Sequence, residues 1–167
     1  YTCSTHMKAL HPLDYYRLKE WRVWDLGLQG SCFWAYNSWR GDPWNDFDGP
    51  IADCGTIYSG PTGPVSSRRW EATREGREDY LCLYLLRQAG HEAEQQAQDD
   101  IESFLEELVK TALEHATDVQ TFETLRADLL GKLKERLGAD PPSLAKPPEW
   151  RVEPETLRCR LEPRSEE

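Results

Sequence analysis

The chain has 167 residues, with 20 Lys+Arg against 30 Asp+Glu, a net charge of −10 and 38% apolar residues. That length suits about one domain, and the negative balance argues against nucleic acid or an anionic membrane as partner, because both demand a basic footprint. No run approaches the ~18 consecutive apolar residues of a membrane span.

The chain opens on Tyr1-Thr2-Cys3 without Met, basic segment or apolar segment, so no signal peptide is visible. Residues 1–4 read as a β-prone strand cut at its start, which predicts a piece of a longer protein. Pro12 suits the first position of a helix, where its missing N–H costs nothing. Leu13, Arg17, Trp21, Trp24 and Leu28 then recur at three-to-four spacing, predicting an amphipathic helix over 12–28 that stops near Gly27 and Gly30. The apolar run over 31–36 has strand length, and burial on both faces would make it a parallel strand. Residues 37–63 read as a long loop rich in Gly, Pro, Asp and aromatic residues, with a small strand at 56–58 before the turn at Gly60-Pro61-Thr62-Gly63. Loops of this length are uncommon in compact domains and usually serve function.

Ser66 or Ser67 caps a helix over 67–89, with Trp70, Thr73, Arg77, Tyr80, Leu81, Tyr84 and Leu85 on one face and Gly90 as its stop. Gly76 inside that helix costs about 1 kcal/mol relative to Ala, so close packing against another element is its expected cause. A helix over 92–116 follows, with Ala97, Ile101, Phe104, Leu105, Leu108, Ala112 and Leu113 inward. Thr117 and Gln120 form a capping box for a last helix over 118–137, with Phe122, Leu125, Leu129, Leu133 and Leu137 inward and Gly138 as stop. From 140 the chain is Pro-rich, charged and expected to be loosely ordered. Aromatic residues concentrate early: residues 1–84 hold six of the seven Trp and all seven Tyr, with 9 basic against 11 acidic side chains. Any chemistry belongs in that part.

Trp34, Tyr36 and Asn37 lie at the C-terminal end of the expected strand, where α/β sheets gather ligands. They present hydroxyl and amide groups to a ligand, or else pack the strand. Trp39, Trp44 and Phe47 in the loop suit stacking on a sugar ring, with Asp42, Asn45, Asp46 and Asp48 as hydroxyl partners. The alternative is that the aromatics fasten the loop and the acids cap its turns. Asp46-Phe47-Asp48-Gly49 fails as a calcium loop, because the first ligand position falls on Trp44. The four His and five Cys form no zinc spacing, so no metal or other cofactor is expected. Free thiols are the simpler reading of the cysteines, and a Cys32–Cys54 bridge across one loop is the other. Arg68 or Arg69 is placed to hold the preceding loop, or to join a solvated face on which Arg74 and Glu78 pair one turn apart.

Taken together, Phe33-Trp34-Ala35-Tyr36-Asn37, Pro43-Trp44-Asn45-Asp46, Pro64-Val65-Ser66-Ser67-Arg68-Arg69-Trp70-Glu71-Ala72 and Arg74-Glu75-Gly76-Arg77-Glu78-Asp79-Tyr80 resemble the C-terminal region of glycoside-hydrolase-family-123-like proteins. That region is usually catalogued as a domain of unknown function. The resemblance covers about residues 1–90. It implies an α/β fold, the C-terminal part of a (β/α)8 TIM-type barrel: residues 1–4 as the seventh strand, 12–28 as the seventh helix, 31–36 as the eighth strand and 67–89 as the eighth helix. Residues 91–138 would be a helical hairpin extension and 139–167 a tail. Characterised relatives of this kind are retaining β-N-acetylgalactosaminidases in which the substrate's own acetamide attacks the anomeric carbon, assisted by an adjacent acidic pair. No matching pair occurs here, so no catalytic residue is transferred. Trp34, Tyr36, Asn37, Trp39, Trp44 and Asp46 would line the sugar pocket, with Cys3 at its mouth. The expected partners are an N-acetylhexosamine-containing glycan and the missing N-terminal barrel segment, in a protein of secreted or periplasmic type. The competing expectation is a non-catalytic carbohydrate-binding or scaffold protein on a degenerate barrel.

Overall fold

The structure, a computed structural model, describes residues 10–33, 35–37, 41–42, 44–45, 48 and 55–138. The expected strand at 1–4 and the tail from 140 lie outside these residues. His11 precedes the first helical stretch, and its Nδ1 accepts from the Asp14 N–H at 3.4 Å. Pro12–Arg17 winds in wide π-type turns that run directly into α1, Leu18–Asp25. Gly27 at φ 61° then ends the helix in the left-handed region. The helix thus stops short of 28, and Leu28 lies half exposed beyond the turn. The wide turns put Tyr16, Arg17 and Leu18 inside one after another, an arrangement that regular 3.6-residue turns would spread around the axis.

Residues 31–36 depart from expectation. The described part of this run makes only an isolated bridge at Phe33, and Cys32 and Tyr36 are exposed. A buried parallel strand needs neighbours for its backbone groups on each side, and no described segment runs parallel to it. Instead the Ala35 and Tyr36 carbonyls accept from the Thr56 N–H at 3.2 and 3.0 Å, and Tyr36 O also accepts from Ile57 N–H at 3.1 Å. Among the described residues the sheet is an antiparallel hairpin of β1, Tyr58–Gly60, and β2, Gly63–Val65, with Tyr58 opposite Val65 and Gly60 opposite Gly63. The small strand expected at 56–58 therefore starts two residues later.

Helices dominate the rest. α2 spans Arg68–His91, α3 Gln95–Glu114 and α4 Val119–Leu137. Ser67 caps α2 as expected, its side chain accepting from the Trp70 N–H at 3.2 Å. The buried face of α2 is rotated from the expected one: Arg69, Ala72, Thr73, Gly76, Asp79, Leu83, Leu86 and Gly90 point inward, while Leu81 and Tyr84 are exposed. The inward face carries three small residues, Ala72, Gly76 and Gly90, and two charged ones, Arg69 and Asp79, so hydrophobicity alone turns the face away from the true one, although Thr73 is buried and Leu85 packs on the core as expected. Gly90 does not end the helix. A Cβ there would stand 3.3 Å from Ile101, so glycine lets α3 approach. α4 is capped by Asp118, which accepts from the Thr121 N–H at 3.1 Å, rather than by Thr117. The Thr121 hydroxyl, which donates to Asp118 Oδ2 at 2.7 Å, and then that N–H hold the Asp118 carboxyl below the usual carboxylate range. Gly138 at φ 64° stops α4 as expected, although Leu137 is left exposed.

One apolar core joins all four helices: Leu18 and Trp21, Leu83 and Leu86, Ile101, Leu105 and Leu108, and Phe122, Leu129 and Leu133. Trp21 packs edge-on to Phe122 with ring centres 5.2 Å apart. Each fully buried side chain of this size contributes about 1.5–3 kcal/mol, whereas an isolated hairpin with three-residue strands is marginal alone. The helical core therefore holds the fold, and the hairpin rides on it. Among the described residues no helix is long and apolar enough to cross a membrane.

Candidate functional site

The loop that precedes α2 is fastened at its last residues. Thr56 and Ile57 are buried, and Thr56 bonds back to the 35–36 carbonyls as above. The Ser67 hydroxyl donates to Thr56 O while also capping α2, so one side chain ties the loop to the helix start. Arg69, 5% exposed, donates from Nη2 to Gly55 O at 2.9 Å and to the Tyr58 hydroxyl at 3.3 Å. Of the two arginines expected to hold the loop, Arg69 does so, whereas Arg68 is exposed.

Two aromatic groups form around this fastened segment. The Tyr36 ring meets Trp70 edge-on at 5.1 Å, with Phe33 tilted against Trp70 at 6.3 Å and Lys19 Nζ 4.9 Å over Phe33. Trp44 stacks flat on Tyr58, 4.2 Å between centres and 6° between planes, and stays 60% exposed. A stacked indole that exposed offers solvent a flat apolar face. Its position is set by Asp42, whose Oδ1 accepts from the Trp44 N–H at 3.0 Å and whose carbonyl accepts from the Asn45 N–H at 2.9 Å. Asp48 Oδ2 in turn accepts from the Asp42 N–H at 2.6 Å, next to Gly41 at φ 80°, where a Cβ would stand 2.4 Å from that carboxylate. Asp42 and Asp48 thus build the loop, as the turn-capping alternative holds, and leave Trp44 displayed.

Of the six residues expected at the site, Tyr36 and Trp44 both abut the 56–58 segment and are exposed, as is Asn37. Trp34, Trp39 and Asp46 lie outside the described residues, as do Phe47 and Cys3. Tyr58, the platform beneath Trp44, was not singled out by sequence reasoning. Its signal is an aromatic two residues before a Gly-Pro turn. Trp70, read as a helix-face residue, serves as the wall for Tyr36.

Two adjoining clefts open beside this surface. One, of about 480 Å³, is lined by Leu13, Arg17, Ser66, Glu71, Glu75 and Glu123 among others. The other, of about 350 Å³, is lined by Leu10, Pro12, Tyr58, Ser67, Arg68 and Arg69. In the larger cleft the carboxylates are spoken for: the Ser66 hydroxyl and then Arg74 hold the Glu71 carboxyl below its ordinary range, and Glu75 and Glu123 bind Arg17 Nη1 at 3.0 and 2.8 Å. Beneath it Arg17 Nε reaches the buried Asp79 at 2.9 Å. Burial works against the Arg17 charge, but the hydrogen bond and field of Asp79, with Glu75 and Glu123, outweigh it and keep the guanidinium charged. Arg74 pairs with Glu71 at 2.9 Å and with Glu78, as the one-turn spacing predicts.

Cys32 and Cys82 are free thiols, and burial, then Asp79, pushes the Cys82 thiol up and keeps it protonated. A free Cys32 overturns the Cys32–Cys54 alternative, and Cys54 itself lies outside the described residues. Among the described residues no three metal-ligating side chains gather. The arrangement therefore offers an aromatic platform with hydroxyl and amide neighbours, and a basic cleft beside it.

A search of curated proteins finds no match. Residues 6–86, from ahead of the π-type turns to most of α2, match the family model described as glycoside hydrolase 123, catalytic domain. This chain therefore carries, over residues 6–86, a glycoside-hydrolase-123-like region.

Proposed function

We propose that the chain is the C-terminal part of a glycoside hydrolase built on a (β/α)8-type barrel. It supplies carbohydrate-binding surface to a retaining, substrate-assisted β-N-acetylhexosaminidase-type site and is inactive alone. In this reading residues 1–90 belong to the barrel, 91–138 form a helical hairpin packed on it, and 139–167 are a tail. The acid pair comes from an earlier part of the longer protein, and the substrate's acetamide supplies the nucleophile. The observation that carries the reading is Trp44, stacked on Tyr58, fixed by Asp42 and 60% exposed. An aromatic face left open at the cost of its own burial, within a glycoside-hydrolase-like region, suits the apolar face of a sugar ring. Tyr36, half exposed against Trp70, and Asn37 beside it supply hydroxyl and amide partners.

Titration of the 167-residue chain with a β-linked N-acetylhexosamine disaccharide, followed by tryptophan fluorescence or ligand-observed NMR, tests it. Trp44→Ala is expected to weaken binding about tenfold, the equivalent of ~1.4 kcal/mol. Tyr36→Phe removes one hydrogen bond, worth about 0.5–1.5 kcal/mol, and is expected to weaken it about threefold. Unchanged affinity in both variants would remove these residues from any sugar site. The chain alone should release no sugar from a chromogenic β-N-acetylhexosaminide.

A further inference from the structure

We propose that the smaller cleft binds an anionic group, a carboxylate or a sulfate ester, carried by the glycan that stacks on Trp44. The proposal rests on the carbohydrate reading and narrows its substrate class to acidic saccharides. Three observations support it.

First, Arg69 is 5% exposed, and among the described residues no acid lies within ion-pair distance of it. Its Nη2 meets two neutral acceptors, Gly55 O and the Tyr58 hydroxyl, and its Nε is buried without a hydrogen-bond partner. A buried cation with no counter-ion carries a desolvation penalty of several kcal/mol. The Tyr58 ring, 5.6 Å from the guanidinium carbon, offsets only part of it. Second, among the described residues the cleft is lined by both Arg68 and Arg69 and by no carboxylate, in a chain whose net charge is −10. It opens at the N-terminus of a 24-residue helix, where the orphan backbone N–H groups add roughly half a positive charge. Ser67, which lines the cleft, caps the helix by accepting from the Trp70 N–H. Third, Tyr58 belongs to both features: its hydroxyl accepts from Arg69 at the cleft, and its ring underlies Trp44. The indole and the arginines thus share one residue as neighbour, and the glycan that stacks on Trp44 is the proposed carrier of the anionic group. The carboxylates of the neighbouring cleft do not compete, since Glu71, Glu75 and Glu123 are each held by an arginine.

The test titrates the 167-residue chain with three disaccharides that share a β-linked N-acetylhexosamine. One carries a neutral hexose, one a uronate in its place, and one a sulfate ester on the neutral form. Inorganic sulfate alone is the fourth probe. At low salt the uronate or the sulfated form is expected to bind about tenfold more tightly than the neutral one, and the preference should collapse at high salt. Which of the two acidic forms gains identifies the group. Arg68→Ala, on an exposed side chain, should cut that preference at least about threefold and leave the neutral affinity unchanged. Arg69→Lys keeps the charge but loses the planar fork and should also reduce it. Trp44→Ala should weaken all three saccharides alike. Equal affinity for neutral and acidic forms, or a preference untouched by both arginine variants, overturns the acidic-ligand assignment and leaves the carbohydrate reading standing. Binding of inorganic sulfate with no saccharide bound overturns both.

Discussion

Asp79→Ala is expected to be among the most destabilising single substitutions in the chain, at about 3 kcal/mol. Asp79 is 2% exposed and serves three donors at once. Its Oδ2 accepts from Arg17 Nε at 2.9 Å and from Trp21 Nε1 at 3.4 Å, and its Oδ1 accepts from Arg126 Nε at 2.9 Å. These donors come from the first helical stretch, α1 and α4, so one carboxylate on α2 ties together elements distant in sequence. Among the described residues, alanine would leave the Arg17 guanidinium, 8% exposed, with only its outer partners Glu75 and Glu123. It would also strand the indole N–H of a fully buried Trp21. Removing one member of a buried charged network typically costs about 3–5 kcal/mol, because the remaining charge stays desolvated. The lower end applies here, since Arg17 keeps two carboxylates and Arg126, 31% exposed, can turn to water. Arg126→Ala should for that reason cost only about 1 kcal/mol. Urea unfolding of both variants, read by the shift in midpoint at constant slope, makes the comparison. An Asp79→Ala loss no larger than that of Arg126→Ala would mean the network adds no net stability over its surface arm.

Arg17, Trp21 and Asp79 were each visible in the sequence, yet their meeting was not. The helices were legible because their apolar residues recur at helical spacing and their ends carry strong signals: Pro12, Ser67 and Gly138. What failed was the face of α2. Leu81, Tyr84 and Arg77 are a more hydrophobic and aromatic stripe than Ala72, Gly76 and Asp79, but the latter stripe meets the backbone of Pro12–Arg17 and the Asp79 network. Periodicity reports which side is apolar. It is silent about a side buried through small residues and a charge network. The strand expected over 31–36 is missing for a related reason: its apolar run suggests two buried faces, whereas Phe33 and Tyr36 spend their rings on Trp70 and Tyr36 stays exposed.

The candidate site was legible in its composition and not in its geometry. An aromatic, Asp-rich loop pointed to Trp44, and Asp42 was correctly placed among its neighbours, although the fold uses it to build a turn. The stacking partner Tyr58 lies 14 positions further on, across residues 46–55. No local pattern connects the two, since a ring stack leaves no spacing rule behind. Arg69 is the clearest gain from the structure. Next to Arg68 it reads as one of two equivalent surface charges, and only burial separates them: Arg69 is interior and lacks a counter-ion among the described residues, whereas Arg68 faces solvent.

Gly76→Ala should destabilise the protein by about 1–3 kcal/mol, against the sign that helix propensity alone predicts. In the interior of α2 alanine is intrinsically better than glycine by about 1 kcal/mol. A Cβ at this position, however, would stand 2.3 Å from the Arg17 carbonyl oxygen and 3.1 Å from its Cα and carbonyl carbon. These are backbone atoms, so no side chain can swing aside. The helices would have to part, and the residue pushed away is the one whose side chain grips Asp79 one turn further along α2. The substitution therefore strains the contact and the charge network together, and Gly76→Ala combined with Asp79→Ala should cost less than the two losses added. Gly131→Ala is the matched control. It sits in the middle of α4 with nothing within 4 Å of the added carbon, so it should stabilise by about 0.5–1 kcal/mol. Thermal and urea unfolding of the two variants side by side reads opposite signs if close backbone approach is the reason for glycine at 76. Stabilisation in both would mean that α2 and the Pro12–Arg17 turns are not in the contact described, and with them the placement of Arg17 beneath the larger cleft would fall.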